Sequence, residues 1–135
     1  MTKKETAAQY HGAGCNCAQA VGCAFCAEAG VDEQTMKELT RRYGAGAYKY
    51  CGALLGAAAA MNMRLGDVRQ DDPAALDGAA SDEILELLKG FEEKNGSVFC
   101  RELKGRDTGV VLRACRGCVE DAAELAAEIL DGEKK

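Results

Sequence analysis

Apolar residues recur every three or four positions along most of this chain, which is the spacing of one buried face of an α-helix. Residues 81–96 show the pattern clearly, with Ser81 placed to cap the helix and Gly96 to end it. The apolar positions of that stretch are Ile84, Leu87, Leu88 and Phe91. The same reasoning predicts helices over residues 2–10, 16–28, 32–44, 51–66, 81–96 and 111–130, and a short turn or helix over residues 98–103.

Residues 51–66 combine an apolar character with very small side chains. Gly52 and Gly56 lie about one turn apart, and four alanines follow them. Such a bare strip of backbone lets another helix approach closely, and it also leaves room for a cluster with its sulfides. Helix packing is the simpler explanation, and we keep both glycines as candidate cofactor-binding positions.

Composition points to the same fold class as the periodicity. The chain has 135 residues with one proline and few β-branched residues, so strands are not expected. No linker rich in proline or serine divides it, and residues 1–135 should form a single cysteine-rich helical domain. We predict an all-α fold, a compact single-domain bundle of about five helices, with polar loops at residues 66–80 and 106–109.

The charge of the chain narrows the choice of partners. A net charge of −5 and an isoelectric point near 5.0 disfavour nucleic acid and anionic membranes. The apolar run at residues 51–61 is shorter than the roughly 20 residues that cross a bilayer. Residues 1–12 lack the apolar core of a signal peptide. We therefore expect a cytoplasmic protein that does not insert into membranes.

Eight cysteines are more than packing alone explains. Thiols in the cytoplasm are kept reduced, so this number indicates metal binding or redox chemistry instead of structural disulfides. An enzyme with a cysteine nucleophile is less expected, because the single histidine, His11, is best explained as a solvated loop residue and no other general base is evident.

Four short motifs carry a resemblance that spans nearly the whole chain. They are NCAQAV with Cys17, CGALLG with Cys51, GSVFCRELKG with Cys100 and CRGCVEDAAEL with Cys115. In this order and spacing they resemble the C_GCAxxG_C_C family, small bacterial proteins that are described as redox-active mainly from their cysteines. Tyr50 stands where the family motif has a glycine.

The resemblance implies an all-helical fold with one site formed by Cys17, Cys51, Cys100 and Cys115, which would act as redox thiols or as metal ligands. It also suggests a redox or transport partner protein, since members of the family are often associated with transporter genes in anaerobic bacteria. We also consider a homodimer.

The other four cysteines, Cys15, Cys23, Cys26 and Cys118, lie outside the family pattern. At 100° per residue, Cys23 and Cys26 lie about 80° and 20° from Cys15 around a helix, whereas Cys17 lies near 200°. The family cysteine therefore faces away from the other three on this helix. We expect the extra cysteines either to form a second metal-binding set with Cys118 or to be surface and packing thiols.

The position of Cys51 suits two kinds of chemistry. It lies at the start of its predicted helix, where unpaired backbone N–H groups favour a thiolate. A thiolate attacks disulfides and also binds metals. Ligands placed singly on four segments suit an iron–sulfur cluster better than zinc, which usually uses two C-x-x-C turns.

The two C-x-x-C pairs, Cys23/Cys26 and Cys115/Cys118, bear on the same choice. Cβ atoms three residues apart in a regular helix are about 5–6 Å apart, whereas a disulfide needs roughly 3.5–4.5 Å. A disulfide within either pair would therefore strain a regular helix. For the protein as a whole we predict electron transfer through an iron–sulfur cluster or dithiol–disulfide exchange. The alternative is a protein that binds or handles zinc or another thiophilic ion, in association with a transporter.

Overall fold

The computed structural model describes residues 2–44, 50–64, 82–106 and 108–133, with only the backbone described for residues 132 and 133. Over these ranges the chain is helical without strands, which confirms the all-α prediction. The α-helices are α1 Lys3–Gly12, α2 Cys17–Ala24, α3 Cys26–Ala29, α4 Glu33–Thr40, α5 Gly52–Arg64, α6 Asp82–Asn95, α7 Cys100–Leu103 and α8 Cys115–Glu133. Eight helices in the described ranges exceed the predicted number of about five, and two of them are a single turn long.

Helix α5 is the buried centre of the bundle. Every residue from Gly52 to Asn62 is buried, and α2, α3, α6 and α8 pack around it. The closest approach is at Gly56, where an added Cβ would overlap the backbone carbonyl of Ala18 in α2. The missing side chain of Gly56 is therefore required by helix packing. None of the helices in the described part of the chain has both the length and the apolar character of a membrane span.

Helix α2 begins with a complete N-terminal cap. The Asn16 side-chain oxygen accepts a hydrogen bond from the Gln19 amide (2.8 Å), and the Gln19 side chain accepts one from the Asn16 amide (3.1 Å). The Asn16 side-chain amide also donates to the carbonyl oxygen of Arg41 (3.2 Å). This residue opens the 3₁₀ turn Arg41–Tyr43 that follows α4. These bonds fix Cys17 as the first residue of α2.

The single helix predicted across the segment after this cap is interrupted at Phe25. The ammonium group of Lys3 donates to the Ala24 carbonyl oxygen (2.8 Å), and the Phe25 amide bonds to the carbonyl three residues back instead of four (3.0 Å). The backbone at Phe25 has φ −113° and ψ 19°, outside the helical range. The prediction of one continuous helix is therefore wrong, and Cys23 and Cys26 belong to different helices.

Helix α8 begins at Cys115, later in the chain than the apolar spacing predicts. The amides of Leu112 and Arg113 both donate to the carbonyl oxygen of Leu103 (2.9 and 3.2 Å). They are therefore held against the end of α7 and do not begin a helix. The apolar side chains of residues 110–112 remain exposed.

Helix α1 packs against α8 and α2. Thr2 caps it by accepting a hydrogen bond from the Glu5 amide (3.2 Å). The helix continues to Gly12, so the expectation that His11 lies in a solvated loop is wrong: it is half-buried in the last turn.

The stripe on α6 packs as its spacing predicts. Ile84, Leu87 and Phe91 are buried and Leu88 is half-buried. The helix ends before Gly96, which has a φ of 85° that glycine adopts without strain. The predicted Ser81 cap and the predicted loop at residues 66–80 lie outside the described residues.

Gly56→Ala should destabilise the protein, because the added methyl group overlaps helix backbone that cannot move independently. Overpacking of this kind costs about 1–3 kcal/mol, against the roughly 0.5–1 kcal/mol that alanine gains over glycine in a helix. Denaturant unfolding followed by circular dichroism measures the difference. Gly12→Ala is the matched control, because nothing lies within 4 Å of a Cβ at that position. Equal stability of the two variants would contradict the packing explanation.

Candidate functional site

A small cavity lies where the starts of several helices meet. Its free volume of about 10 Å³ is close to the room that one water molecule needs. The residues that line it are Cys17, Cys51, Gly52, Cys100, Leu103, Lys104, Cys115 and Cys118. Five cysteines of the chain therefore share one confined space.

Four of these five cysteines lie at the start of a helix. Cys17, Cys100 and Cys115 are the first residues of α2, α7 and α8, and Cys51 immediately precedes α5. Cys118 lies one turn into α8. Because the first N–H groups of a helix have no partner within it, helix starts favour negative charge. At Cys51 the backbone amides of Ala53 and Leu54 act on the sulfur in this way.

A short backbone connection holds two of the cysteines in place. Tyr50 and Phe99 form an isolated antiparallel bridge, and their rings lie 5.4 Å apart between centroids. The Cys51 amide donates to the Val98 carbonyl oxygen (2.8 Å). Cys51 and Cys100 each follow a residue of the bridge, so it sets their relative position. Tyr50 supplies one side of this connection.

Cys51 is the N-cap residue of α5 and the most acidic thiol for which the structure indicates a shift. Its pKa is lowered to about 7, first by a hydrogen bond from the Cys118 thiol and then by the amides of Ala53 and Leu54 and the charge of Lys104. Burial acts in the opposite direction, since only 5% of Cys51 is exposed. A substantial fraction of Cys51 is therefore thiolate at neutral pH.

Three neighbouring thiols keep their protons. The pKa of Cys118 is strongly raised, first by its interaction with the Cys51 sulfur and then by burial. The Cys118 thiol also lies within hydrogen-bonding distance of the Arg113 carbonyl oxygen (3.8 Å). Burial is the main cause that raises the pKa of Cys17 to about 12, and Cys115 adds to it. Burial also raises the pKa of Cys100. Cys51 is therefore a ready thiolate beside these three protonated neighbours.

Cys17, Lys104 and Cys115 form the solvent side of the cavity. These three are half-buried, whereas the other lining residues are buried. The Cys17 thiol and the Lys104 ammonium group both donate to the Cys115 sulfur. This hydrogen bond raises the pKa of Lys104, so the lysine stays charged beside the sulfur atoms.

A model of the family described as "Putative redox-active protein (C_GCAxxG_C_C)" matches residues 15–129. The chain belongs to this family. The resemblance inferred from the four motifs is confirmed, and the matched residues include every cysteine that lines the cavity. No curated protein and no solved structure matches the chain.

In this C_GCAxxG_C_C protein, Cys118 does not lie where the sequence pattern places it. The pattern groups it with the extra cysteines of residues 15–26, but it lines the cavity beside Cys51. Helical spacing does indicate this position, because residues three apart on α8 lie on the same face. Cys118 therefore faces the core together with Cys115. The three remaining extra cysteines do not line the cavity.

Lys104 was missed by the sequence analysis although its spacing carries a signal. It lies four residues after Cys100, about one helical turn, which brings it to the same side of α7.

The two candidate cofactor-binding glycines differ in their positions relative to the cavity. Gly52 lines the cavity, and a Cβ there would lie 2.9 Å from the Tyr43 carbonyl oxygen. Gly56 does not line it and contacts α2 instead.

Thiols have the right chemistry for a zinc ion or an iron–sulfur cluster, which were the expected cofactors. Among the residues that the structure describes, no three histidine, cysteine, aspartate or glutamate side chains are arranged to hold one metal ion. The free volume between the sulfurs is also that of about one water molecule. A cluster would require the five thiols to move apart.

Removing the Cys118 thiol should raise the pKa of Cys51, because it supplies the largest of the interactions that lower that pKa. Alkylation of Cys51 by iodoacetamide should have a midpoint near pH 7 in the unmodified sequence. In Cys118→Ala the midpoint should move toward roughly 8.5, with about a tenfold slower reaction at neutral pH.

Peptide-resolved mass spectrometry over a pH series measures this reaction. Cys23→Ala is the control, since Cys23 is equally buried but does not line the cavity. An unchanged midpoint in Cys118→Ala would show that the Cys118 hydrogen bond does not set the acidity of Cys51.

Lys104→Gln should raise the pKa of Cys51 by less than Cys118→Ala does. The lysine acts on Cys51 through its charge alone, and its effect is smaller than those of the Cys118 thiol and the two backbone amides. Added salt should reproduce part of the effect in the unmodified sequence, because mobile ions screen a half-exposed charge. The same alkylation assay tests this. A pKa shift larger than that of Cys118→Ala would show that the lysine charge outweighs the Cys118 hydrogen bond, contrary to this prediction.

Proposed function

We propose that the protein carries out dithiol–disulfide redox chemistry in which Cys51 and Cys118 alternate between two thiols and one disulfide. The observation that supports this most directly is that the two thiols interact within one cavity, where one has a lowered pKa and the other a raised pKa. The first is the attacking group in disulfide exchange, and the second is the thiol that completes the bond.

The reaction partner is a disulfide, on a protein or on a small molecule. The Cys51 thiolate attacks one sulfur of that disulfide, forming a mixed disulfide and releasing the other sulfur as a thiolate. The Cys118 thiol then gives up its proton and attacks the Cys51 sulfur, which releases the second thiolate. In sum, two protein thiols are oxidised and one partner disulfide is reduced to two thiols, which take the two protons.

The solvent side of the cavity suits the entry of such a partner. Cys17 and Cys115 lie there with Lys104, whose long side chain can move aside more readily than the buried backbone around it. Its positive charge stabilises thiolates that form during the exchange. Because Cys51 is only 5% exposed, exchange with a bulky partner requires this side to open.

A metal-bound form is the second candidate. Five cysteines around one space supply more than the four thiolates that a zinc ion or an iron–sulfur cluster takes. Such a form would serve electron transfer or the handling of a soft ion, and it requires a different arrangement of the sulfurs from the hydrogen-bonded pair of Cys51 and Cys118.

The decisive experiment starts from protein purified without oxygen. Treatment with oxidised glutathione should convert Cys51 and Cys118 to a disulfide that links their two peptides. Cys118→Ser should instead accumulate a mixed disulfide between Cys51 and glutathione. Cys100→Ser is the matched control, because Cys100 also lines the cavity but is not a member of the proposed pair. This variant should still form the disulfide between Cys51 and Cys118.

Elemental analysis of the same preparation separates the two candidates. Protein without iron, sulfide or zinc, and without visible absorption, supports the dithiol proposal. Stoichiometric iron and sulfide, or zinc that protects the five cysteines from alkylation, would overturn it in favour of the metal-bound form.

A further inference from the structure

Three cysteines that do not line the cavity lie close together around the junction of α2 and α3. Cys23 lies in α2, Cys26 begins α3, and Cys15 precedes α2. The Cys23 thiol donates a hydrogen bond to the Cys26 sulfur, and Cys15 is close enough to act electrostatically on Cys23. Cys23 is buried, whereas Cys15 and Cys26 are half-buried. This group is separate from the cysteines that line the cavity.

The interruption of the helix at Phe25 changes what Cys23 and Cys26 can do. In a continuous helix their Cβ atoms would be held about 5–6 Å apart, too far for the roughly 3.5–4.5 Å of a disulfide. The non-helical backbone at Phe25, with φ −113° and ψ 19°, removes that restraint. The two thiols are close enough for each to act on the pKa of the other, and the end of α2 and the start of α3 are not held at the spacing of one helix.

We propose that Cys23 and Cys26 form a second dithiol–disulfide site, which exchanges with external disulfides independently of Cys51 and Cys118. The half-buried Cys26 attacks one sulfur of an incoming disulfide as its thiolate, and the other sulfur leaves as a thiolate. Cys23 then loses its proton and attacks the Cys26 sulfur, which releases the second thiolate. Two protein thiols are oxidised, and the incoming disulfide becomes two thiols that take up the protons.

Burial and, after it, the acidic side chains around the pair set its response to pH. Burial first, and then Glu33, Asp32 and Glu28, raise the pKa of Cys26, although the Cys23 hydrogen bond opposes them. Burial also raises the pKa of Cys23 to about 12. Other titratable groups near the pair are Cys15, Tyr10, which donates to Glu33 (3.3 Å), and Lys37, which forms an ion pair with Glu33 (2.9 Å). Lys3 of α1 forms an ion pair with Glu28 (2.6 Å). Exchange at this site therefore needs a higher pH than exchange at Cys51.

The test uses full-length protein, oxidised glutathione and a pH series. Free thiols are alkylated, and fragmentation of the tryptic peptide of residues 5–37, which carries Cys15, Cys17, Cys23 and Cys26, locates any disulfide. The expected result is a Cys23–Cys26 disulfide that appears at alkaline pH, with the loss of two free thiols. If Cys23 and Cys26 remain fully alkylated at alkaline pH, or if Cys15 is found in the disulfide, the proposal is overturned.

Two variants complete the test and separate the two sites. Cys26→Ser should abolish the new disulfide, whereas Cys15→Ser, a half-buried neighbour, should retain it. The linked peptides of Cys51 and Cys118 are read in the same digest, so either pair can fail while the other forms. Because the main result comes from the unmodified sequence, a variant that fails to fold does not remove the test.

Discussion

The close packing of α2 against α5 is the constraint on which the cavity depends. Gly56 allows the two helices to touch backbone to backbone at Ala18. One turn earlier, a Cβ on Gly52 would lie 3.5 Å from the Cβ of Cys17, so the starts of both helices are also in contact. A larger residue at either glycine would separate Cys17 from Cys51. The small residues of α5 therefore determine which sulfur atoms meet.

Position at a helix start does not by itself make a thiol acidic in this protein. Cys17 and Cys100 both begin helices, yet burial raises the pKa of each. Cys51 differs because a neighbouring thiol and two backbone amides interact with its sulfur, and together they outweigh the effect of its burial. The same interaction that lowers the pKa of Cys51 raises the pKa of Cys118, which therefore keeps its proton. The difference between the thiols is thus a matter of hydrogen-bond donors more than of helix ends.

Periodicity along the chain predicted the helical fold and most helix positions, because one apolar face decides whether a segment can pack. It did not predict the break at Phe25, which depends on a hydrogen bond from Lys3, a residue far away in the sequence. The late start of α8 depends in the same way on the carbonyl group of Leu103.

The candidate site was likewise predictable only in part. The motifs predicted four of its cysteines, and helical spacing predicted that Cys118 lies on the same face of α8 as Cys115. Spacing alone cannot say that α8 docks with Cys118 against Cys51, because the contact joins segments that are far apart along the chain. Lys104 was not predicted for the same reason, because its role in the site depends on its contact with Cys115.

Asn16 stands between Cys15 and Cys17, and its amide and side chain are fully engaged in holding the start of α2. Drawing the two flanking sulfur atoms together would break this junction. The residue consequently insulates the two groups of cysteines from each other, even though a single peptide segment carries both. If both proposed dithiol pairs operate, oxidation of one pair would not pass to the other by way of Cys15 and Cys17, and the two pairs of one chain would hold independent oxidation levels.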